Sequence, residues 1–455
     1  MFGILYKKHL SFTIAILLFV QIASYSTAQV DARPNIIIFY TDDQRWDSLQ
    51  YMPIVTERLI GEGTYFSNSF VTTSLCCPSR SSFLTGLYTH NHGVWTNEAK
   101  TGGGATKFSD KSTIATWLHD AGYSTGAIGK YMNEYGKLSP YIPPGWDDWH
   151  VFSKEPISYY SYKLNENGQI IQYGNAVTDY STDVLRDKAL AFIQNTQRPF
   201  FLWLSFKAPH TDVTIAGNPV IPAPRHVGTC DNIPDNRPPS FNEADVSDKP
   251  DWIRNVDKLT KSQVSAIDKL NRDSICSLKA VDEAIGKILD VLGSDIDNTA
   301  IIYTSDNGFL LGEHRLKNKN RIYEEAIRVP LVIRYPPLFA HATSDQLVLN
   351  IDLAPTIADI AGITPPVKVN GKNLLELDQW RTDFLIEHKR KEITSFGIRT
   401  LEYKYVEHLT ADSSVIRELY DLKKDPYELN NVAKNTVYSD IKKVLKLRLA
   451  ELRQE

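Results

Sequence analysis

Two acidic pairs in this 455-residue chain stand where chemistry can be expected, because each pair comes just after an apolar run with the pattern of a buried strand. The runs are Asn35–Tyr40 and Ala300–Thr304, and the pairs are Asp42-Asp43 and Asp306-Asn307. Four oxygen-bearing side chains at one edge of a sheet suit a hard divalent cation, since such ions take carboxylate and amide oxygens as ligands. Turns that end strands use the same residue types. The presence of two pairs favours the metal interpretation.

A second candidate for chemistry is the segment 76–86, which reads CCPSRSSFLTG. Its early proline and its final glycine predict a short helix. Cys76 would then lie at the helix N-terminus, where free N–H groups favour an anion, and Arg80 would project from the same face one turn later. A nucleophile beside a fixed cation suits an anionic ester as substrate. The alternative is that Cys76 and Cys77 are a buried structural pair.

The pattern of the whole chain predicts the scaffold that positions these residues. Short apolar runs alternate with helical patterns, and the longest helical pattern extends from about Ser262 to Leu292. Such alternation predicts an α/β fold with a large, mixed but mostly parallel sheet flanked by helices. Ligands of these sheets bind beyond the carboxyl ends of the strands. The two acidic pairs are therefore expected to converge.

Two parts of the chain depart from this alternation. Residues 211–252 contain seven prolines and predict a long irregular loop. After about Pro366, β patterns over 393–409 and 415–422 and a helical pattern over 438–452 predict a smaller antiparallel α+β subdomain. The predicted organisation is a signal peptide over 1–28, a catalytic domain over 29–365 and a C-terminal subdomain over 366–455.

The first 28 residues have the pattern of a secretory signal. Lys7 and Lys8 precede an apolar run from Leu10 to Ile22, and the small residues before Ala28 offer a cleavage point. A membrane anchor is the alternative, but the run is shorter than the ~20 residues of a spanning helix. We expect an exported protein, periplasmic or secreted, with no stable membrane insertion.

The overall composition excludes several classes of protein. With 42% hydrophobic and 23% charged residues, the chain is neither disordered nor collagen-like. A formal net charge of -4 gives no extended basic field, so we expect no nucleic-acid binding. Besides the adjacent pair, the only cysteines are Cys230 and Cys276, and the sequence leaves open whether these two form a disulfide.

The pattern Cys-x-Pro-Ser-Arg that begins at Cys76, followed by Leu-Thr-Gly at 84–86, resembles the signature of the sulfatase family. In that family the first cysteine is oxidised to formylglycine (3-oxoalanine) by a separate maturation enzyme. Other motifs resemble the family in the same order along the chain: Asp42-Asp43, Gly129-Lys130, Ala208-Pro209-His210, Asp306-Asn307-Gly308, Lys319, Tyr323-Glu324-Glu325, Asp352–Thr356 and Glu418–Leu422. The resemblance implies an alkaline-phosphatase-like α/β core, a Ca²⁺ site, with Mg²⁺ less suited, and a smaller C-terminal subdomain.

The resemblance also implies a role for each site residue. The metal ligands would be Asp42, Asp43, Asp306, Asn307 and the formylglycine made from Cys76. Arg80 would hold the formylglycine in place, and the residues that bind the sulfate and stabilise the leaving oxygen would be Lys130, His210 and Lys319.

Each basic residue has a plainer alternative. Lys130 and Lys319 could be solvated surface lysines, the common state of this residue, and His210 could cap a turn in a loop. Lys317 competes with Lys319 for the last role. The positions of these residues just after predicted strands favour the site interpretation.

The implied chemistry starts from a sulfate ester that is anionic, so cations must offset the repulsion of the nucleophile. Hydrated formylglycine carries two hydroxyls on one carbon: one, activated by Ca²⁺, would attack sulfur and release the alcohol, and deprotonation of the other would let collapse to the aldehyde expel sulfate. His210 is expected to act as general acid, with Lys319 assisting. Many sulfatases have a histidine two positions after the lysine of Gly129-Lys130, but this chain has Met132 there. Which group takes that role is left open between Asn133, Glu134 and His314.

Finer motif detail resembles the N-acetylglucosamine-6-sulfatase branch of the family. The leading hypothesis for the substrate is the 6-O-sulfate of a glycosaminoglycan or of a marine algal polysaccharide such as ulvan. Candidate substrate-binding residues are His92, Asn97, His314, Arg225 and Arg237, with His90 and Glu98 beside them. The tyrosines Tyr159, Tyr160, Tyr162 and Tyr173 could stack on sugars or could simply pack.

Two alternatives from other classes remain. One is a phosphate or phosphonate monoester hydrolase of the same superfamily, with the same nucleophile and another charge preference. The other is a catalytically silent sugar-binding protein, which would be expected to lack a nucleophile or a metal ligand. The chain retains all of these residues.

Overall fold

A ten-stranded mixed sheet dominates the computed structural model, which describes residues 33–376 and 380–455. The strands of all sheets, in chain order, are β1 (Asn35–Thr41), β2 (Thr64–Phe70), β3 (Ser124–Gly129), β4 (Asp148–Phe152), β5 (Lys163–Glu166), β6 (Gln169–Gln172), β7 (Phe200–Ser205), β8 (Thr299–Ser305), β9 (Leu310–Leu311), β10 (Lys317–Asn318), β11 (Leu331–Arg334), β12 (Ala342–Leu349), β13 (Asp383–Arg390), β14 (Ile393–Thr400), β15 (Tyr403–Leu409) and β16 (Val415–Asp421). Ten of them form the large sheet, β9 and β10 pair with each other, and β13 to β16 form a separate sheet. The sheet order is β12-β2-β11-β8-β1-β7-β3-β4-β5-β6, in which β11 and β5 run antiparallel to their neighbours.

Helices cover both faces of this sheet. They are α1 (Cys76–Thr85), α2 (Thr89–His92), α3 (Ile114–Asp120), α4 (Ser181–Asn195), α5 (Asp251–Arg254), α6 (Lys261–Leu292), α7 (Glu324–Ile327), α8 (Leu353–Ile360) and α9 (Ser439–Leu452). Shorter 3₁₀ turns and one π-helical turn over Val55–Ile60 connect them. The helix α6 begins after Thr260, whose hydroxyl accepts from the Gln263 N–H, and so the predicted helix is present with nearly its predicted bounds.

The strand β1 shows why its sequence is a continuous apolar run. All seven of its residues are buried. Ile36 and Ile38 belong to a core that includes residues of α1, α3 and α8, whereas Ile37 and Phe39 belong to the core under α4 and α6. A strand covered on both faces needs apolar side chains at odd and even positions alike. The predicted α/β fold with a mostly parallel sheet is confirmed.

A second sheet near the C-terminus is antiparallel, with the order β13-β14-β15-β16 and with α9 against it. The single predicted pattern over 393–409 is two strands, because the chain turns at Leu401 and Glu402. Strand β13 was not predicted. Five of its eight residues are charged or histidine, and this composition hides the alternation of a strand.

The residues from Arg33 onward form one compact unit, and the predicted signal peptide lies outside the described residues. The bounds predicted for the two domains, 29–365 and 366–455, stay a prediction. Within residues 33–376 and 380–455, none of the helices has the length and hydropathy that crossing a bilayer requires.

The long loop over 211–252 is irregular as predicted, with only short helical turns, and a disulfide ties it to α6. Cys230 bonds to Cys276 across 46 residues of sequence, whereas Cys76 and Cys77 are free and buried. The sequence had left this pairing open. The bond fixes a loop that has little other regular structure.

We expect the disulfide to stabilise the fold. A double substitution, Cys230→Ser with Cys276→Ser, should lower the free energy of unfolding by about 4 kcal/mol, because closing a loop of this length restricts the unfolded chain. Urea unfolding of both proteins measures this. A reductant should shift the wild-type midpoint and leave that of the double variant unchanged; a reductant-insensitive wild type would contradict the prediction.

Candidate active site

Four adjacent parallel strands, β8, β1, β7 and β3, carry site residues beyond their carboxyl ends. In the sheet, Thr41 pairs with Ser305, so the residues that follow β1 and β8 must lie side by side. Gly129 at the end of β3 has φ +105°, and a Cβ there would lie 1.9 Å from the Ser205 carbonyl oxygen. Only glycine therefore permits this close approach of the chain just before Lys130.

The two acidic pairs converge. The Asp43 N–H donates to Asp306 Oδ1 at 3.1 Å, and Asn307 Nδ2 donates to Asp43 Oδ1 at 2.6 Å. All of these residues, with Asp42, are buried. Asp43 has φ +70°, a left-handed conformation that is uncommon for a residue other than glycine and that often marks functional sites.

Burial opposes negative charge on every carboxylate of this cluster. Although burial alone would raise it, the pKa of Asp42 lies well below its usual range because the Lys130 ammonium is close. Burial raises the pKa of Asp43 to about 6 against the effect of Lys319, and burial together with the charge of Asp42 raises the pKa of Asp306. A further cation would therefore be stabilised among these carboxylates.

The helix α1 begins at Cys76 and ends before Gly86, which has a left-handed conformation, as its sequence predicted. Arg80 projects from this helix into the cluster and is fully buried. Its Nε donates to Asp306 Oδ2 at 2.9 Å, and its Nη1 donates to the Lys130 carbonyl at 2.7 Å and to Ser205 Oγ at 2.8 Å. Arg80 thus joins α1 to the ends of β8, β3 and β7.

Two buried lysines face the cluster from other segments. Lys130 Nζ donates to Asp42 Oδ2 at 2.6 Å. Lys319 Nζ donates to Asp43 Oδ1 and to Cys76 Sγ, the latter at 3.0 Å. Burial opposes their charge, but the neighbouring carboxylates raise the pKa of both lysines, so both stay protonated. Lys317, the competitor of Lys319, is exposed.

His210 approaches the cluster from the loop after β7. Its Nδ1–H donates to the Thr211 carbonyl at 2.7 Å, which leaves Nε2 directed toward Asp43 Oδ2, 3.7 Å away. Burial lowers the pKa of His210 well below its usual range. A proton that this ring gives to a substrate would have to be a second proton, held at Nε2.

Sequence reasoning missed Lys207, which supports this loop. Its Nζ donates to the Thr211 carbonyl at 2.9 Å and lies over the Tyr159 ring. Burial lowers the pKa of Lys207 to about 8. The available signal was its place two residues after β7, comparable to that of Lys130 after β3.

Three of the five predicted metal ligands lie close enough together to share a cation. Ligand atoms of Asp42, Asp43 and Cys76, together with His210, which was not predicted as a ligand, all lie within 4.8 Å of one another. Asn307 Oδ1 is buried, has no hydrogen-bond partner, and is an amide oxygen of the kind that Ca²⁺ takes. The donor set of carboxylate and amide oxygens is that of a hard cation.

Met132 is buried and packs at 4.0 Å from Ser81 Oγ. None of the three candidates for the missing histidine's role makes a hydrogen bond to Cys76. Asn133 contacts Cys77 instead, since its N–H donates to Cys77 Sγ at 3.0 Å. Glu134 accepts from the Ala99 N–H, and His314 is bonded through Nδ1 to Glu243 at 2.7 Å.

Two of the predicted substrate-binding residues contact the helix α1. Asn97 Oδ1 accepts from the Cys77 N–H at 2.9 Å. His92 bonds to Ser82 Oγ at 3.0 Å and accepts from the Val94 N–H through Nδ1, so both of its ring nitrogens already have partners. A cavity of about 810 Å³ opens beside Asn97, and its lining includes Lys100, Asn133, Glu134, Lys137, Lys154 and Glu155.

Two other candidates for substrate binding, Arg225 and Arg237, form ion pairs with residues outside the acidic cluster. Arg225 pairs with Asp183 and Glu283, and Arg237 pairs with Asp268 at 2.7 Å. Their role in binding stays a prediction. Tyr159 and Tyr162 pack inside the protein. They are 0% and 2% exposed and cannot stack on a sugar.

Comparison with known proteins gives two family matches. A model described as Sulfatase matches residues 34–363, and one described as N-sulphoglucosamine sulphohydrolase, C-terminal, matches residues 312–455. A putative extracellular sulfatase Sulf-1 homolog of Caenorhabditis elegans is 39% identical over 76% of this chain, which spans about half, 49%, of that relative's length.

Two further relatives match nearly the whole chain. The N-acetylglucosamine-6-sulfatase of Homo sapiens is 32% identical over 90% of this chain and 83% of its own. The solved structure of BT4656 in complex with its substrate D-glucosamine-2-N,6-O-disulfate is 28% identical, with a TM-score of 0.78 over 93% of this chain and 98% of its own. Because the family model covers most of the chain and the human relative aligns over most of both lengths, the chain belongs to the sulfatase family.

Proposed function

We propose that the protein is a sulfuric ester hydrolase that removes 6-O-sulfate from a sulfated polysaccharide or its oligosaccharides. The observation that carries the proposal is the environment of Cys76. Its Sγ lies at the start of a buried helix, 3.0 Å from the Lys319 ammonium and 3.7 Å from Asp42 Oδ1. An anionic ester brought to this point would meet fixed positive charge at the N-terminus of a helix.

The nucleophile in this proposal is formylglycine, made from Cys76 by a maturation enzyme. Burial raises the pKa of the Cys76 thiol to about 11, so the unmodified side chain would stay protonated at neutral pH and would be a weak nucleophile. Hydrated formylglycine would supply one hydroxyl to attack sulfur, with release of the sugar alcohol, and deprotonation of the second would let the aldehyde re-form and sulfate leave. Arg80, fixed by four elements, would hold the start of α1 in place.

Ca²⁺ is the ion that we propose for the acidic cluster. Its ligands would be Asp42, Asp43, Asp306, Asn307 and the modified residue 76. The ion would offset the negative charge of the sulfate oxygens and so favour nucleophilic attack. Mg²⁺ fits less well, because it rarely takes so many ligands from protein side chains.

The basic side chains would act on the ester itself. Lys130 and Lys319 keep their protons and would attract the sulfate oxygens. His210 would give a proton from Nε2 to the leaving oxygen, because its Nδ1–H is committed to the Thr211 carbonyl. A bound sulfate ester would favour that protonated ring by its negative charge.

A glycosaminoglycan is the substrate class that we favour. The human relative is named for N-acetylglucosamine 6-sulfate, and the substrate of BT4656 is a glucosamine with a 6-O-sulfate. The open cavity beside Asn97, of about 810 Å³ and lined by polar and charged side chains, suits a sugar better than an apolar ligand. Sulfated algal polysaccharides such as ulvan share this polar character and are the other candidates.

Such substrates are found outside the cytoplasm, and the predicted signal peptide fits an exported, periplasmic or secreted enzyme. The relative from Caenorhabditis elegans is named an extracellular sulfatase. We propose no nucleic-acid partner and no stable membrane insertion for this protein.

The first test compares esters and identifies the nucleophile. Protein made with a maturation enzyme should hydrolyse 4-nitrophenyl sulfate in clear preference to 4-nitrophenyl phosphate, and Cys76→Ala should abolish the activity. Peptide mass analysis across residues 75–80 should find an aldehyde in place of the thiol. An unmodified thiol in active protein would refute the mechanism, and a preference for phosphate would favour the monoesterase alternative.

The second test concerns the metal. Chelation should abolish activity, Ca²⁺ should restore it, and Asp306→Asn should weaken Ca²⁺ affinity by at least the roughly 10- to 100-fold that loss of an outer-shell partner costs. Saturating Ca²⁺ should also raise the thermal midpoint of the wild type, since a ligand at 100 times its dissociation constant stabilises the folded state by about 2.7 kcal/mol. Asp290→Asn, at an exposed carboxylate, is the matched control and should behave as wild type.

The third test concerns the general acid. His210→Gln should lower kcat on a sugar sulfate by roughly 10²- to 10⁴-fold, because an alkoxide leaves poorly without a proton. The loss should be much smaller on 4-nitrophenyl sulfate, whose phenolate needs little protonation. His341→Gln, at an exposed histidine, is the control. An equal loss on both substrates would assign His210 to sulfate binding instead.

A further inference from the structure

Two arginines that the site described above does not use share one small cavity. Arg321 lies two residues after Lys319, and Arg390 ends β13 in the C-terminal sheet. Both line a cavity of about 30 Å³, with His388, Trp252 and other side chains of the sheet. A volume of this size accommodates one or two water-sized groups, and so a carboxylate or the outer oxygens of a sulfate.

The positive charge in this cavity has no ionic partner in residues 33–376 and 380–455. Neither Arg321 nor Arg390 makes a salt bridge there, and Arg321 Nε is buried without a hydrogen-bond partner. Arg321 Nη1 donates only to a backbone carbonyl, that of Asn320. Burial, and then the neighbouring charge of Arg390, lower the pKa of Arg321 to about 10. The arrangement is costly without an anion nearby.

The one carboxylate on the cavity wall is already engaged. Glu418 accepts from His408 Nε2 at 2.7 Å, from the Tyr323 hydroxyl at 3.0 Å and from the Tyr420 hydroxyl. It therefore has few acceptor sites left for hydrogen bonds from the two arginines, and it forms no ion pair with either in the described residues.

His388 adds a complementary acceptor. Its Nε2 bonds to the Asn320 carbonyl, which can only accept, so the proton of the neutral ring lies on Nε2. Nδ1 is then an acceptor, and it is buried without a partner. The cavity thus offers cationic donors and one acceptor, which suits a ligand that carries an anionic group and a hydroxyl.

Backbone hydrogen bonds connect the residues of this cavity to the segment that precedes Cys76. The Asn320 N–H donates to the Ser74 carbonyl at 2.8 Å, and the Arg321 N–H donates to Ser74 Oγ at 3.0 Å, two residues before Cys76. Because two residues of chain span at most about 7 Å, the backbone of Arg321 lies close to that of Lys319.

We propose that Arg321 and Arg390 form an anion-binding subsite for a second charged group, sulfate or carboxylate, of the saccharide whose sulfate ester reaches residue 76. This inference rests on the proposed function and adds to it the requirement for an acidic oligosaccharide. A small aryl sulfate would not reach the subsite.

Steady-state kinetics tests the proposal with the variants Arg321→Gln, Arg390→Gln and Arg321→Lys. On a heparin-derived tetrasaccharide with 6-O-sulfate, each Gln variant should raise KM about tenfold at similar kcat, and Arg321→Lys should keep part of the affinity. On 4-nitrophenyl sulfate, kcat/KM should stay within about twofold of wild type. Arg58→Gln, whose guanidinium pairs with the exposed Asp290, is the matched control and should change neither substrate.

Direct binding separates the two possible anions. In a Cys76→Ala background, affinity for the tetrasaccharide should fall in the Gln variants and depend less on salt. The same measurement is then made with a carboxyl-reduced tetrasaccharide. If the Arg321→Gln substitution no longer changes the affinity for that ligand, the bound group is the carboxylate, and a retained difference would identify a sulfate.

The outcomes also separate this inference from the proposed function. A wild-type protein that hydrolyses no sulfate ester contradicts the function and the subsite together. Full activity on the tetrasaccharide with unchanged KM and affinity in both Gln variants overturns the subsite alone. Equal losses on the aryl sulfate and the tetrasaccharide, for both arginines, would also overturn it, because they would show displacement of Lys319.

Discussion

The balance of charge at one buried sheet edge is the constraint on which the rest of this structure depends. Three carboxylates, Asp42, Asp43 and Asp306, meet three side chains that hold their positive charge, and all six are 7% exposed or less. The three cations are Arg80, Lys130 and Lys319. Removing any one of them would leave an unpaired charge in a dry environment, which costs more than the pair contributes. The strand ends, the helix α1 and the loop that carries Lys319 must therefore all be in their folded positions for the cluster to be stable.

Each cation comes from a different part of the chain, and each is held by different means. Arg80 is fixed by α1 and three strand ends, and Lys130 by the glycine that precedes it. Lys319 depends on the C-terminal sheet. The segment after it carries Tyr323, which donates to Glu418, and Glu324, which pairs with Lys404 at 2.8 Å and Arg399 at 3.2 Å. These contacts are buried, so they keep the lysine's backbone in place.

The sequence was most informative where one local pattern decides the structure. The runs that became β1 and β8, the helix from Cys76 and the convergence of the acidic pairs follow from periodicity and from the geometry of parallel sheets. Strand β13 escaped prediction because its charged residues and histidine outnumber its apolar residues. Lys207 was also missed. Its contact is with the Thr211 carbonyl, which only the folded loop brings near.

Long-range pairing accounts for the remaining differences. Arg225 and Arg237 were predicted to bind substrate as basic residues of the irregular loop over 211–252. In the structure their closest partners, Asp183 and Asp268, come from α4 and α6, and Arg237 also pairs with Asp235 in its own loop. The Tyr159 ring is likewise enclosed by residues far along the chain. No pattern within a short window contains such information.

The bonds between the segment 319–325 and the C-terminal sheet limit how freely that sheet could be exchanged among relatives. Lys404 joins Glu324 to Glu428, and Glu428 in turn accepts from the Glu324 N–H at 2.9 Å. A chimera that replaced β13–β16 would therefore have to preserve these ion pairs. Otherwise Lys319 would lose its position beside residue 76. The sheet is thus a mechanical support of the segment that places Lys319 beside Cys76, although the two are distant in sequence.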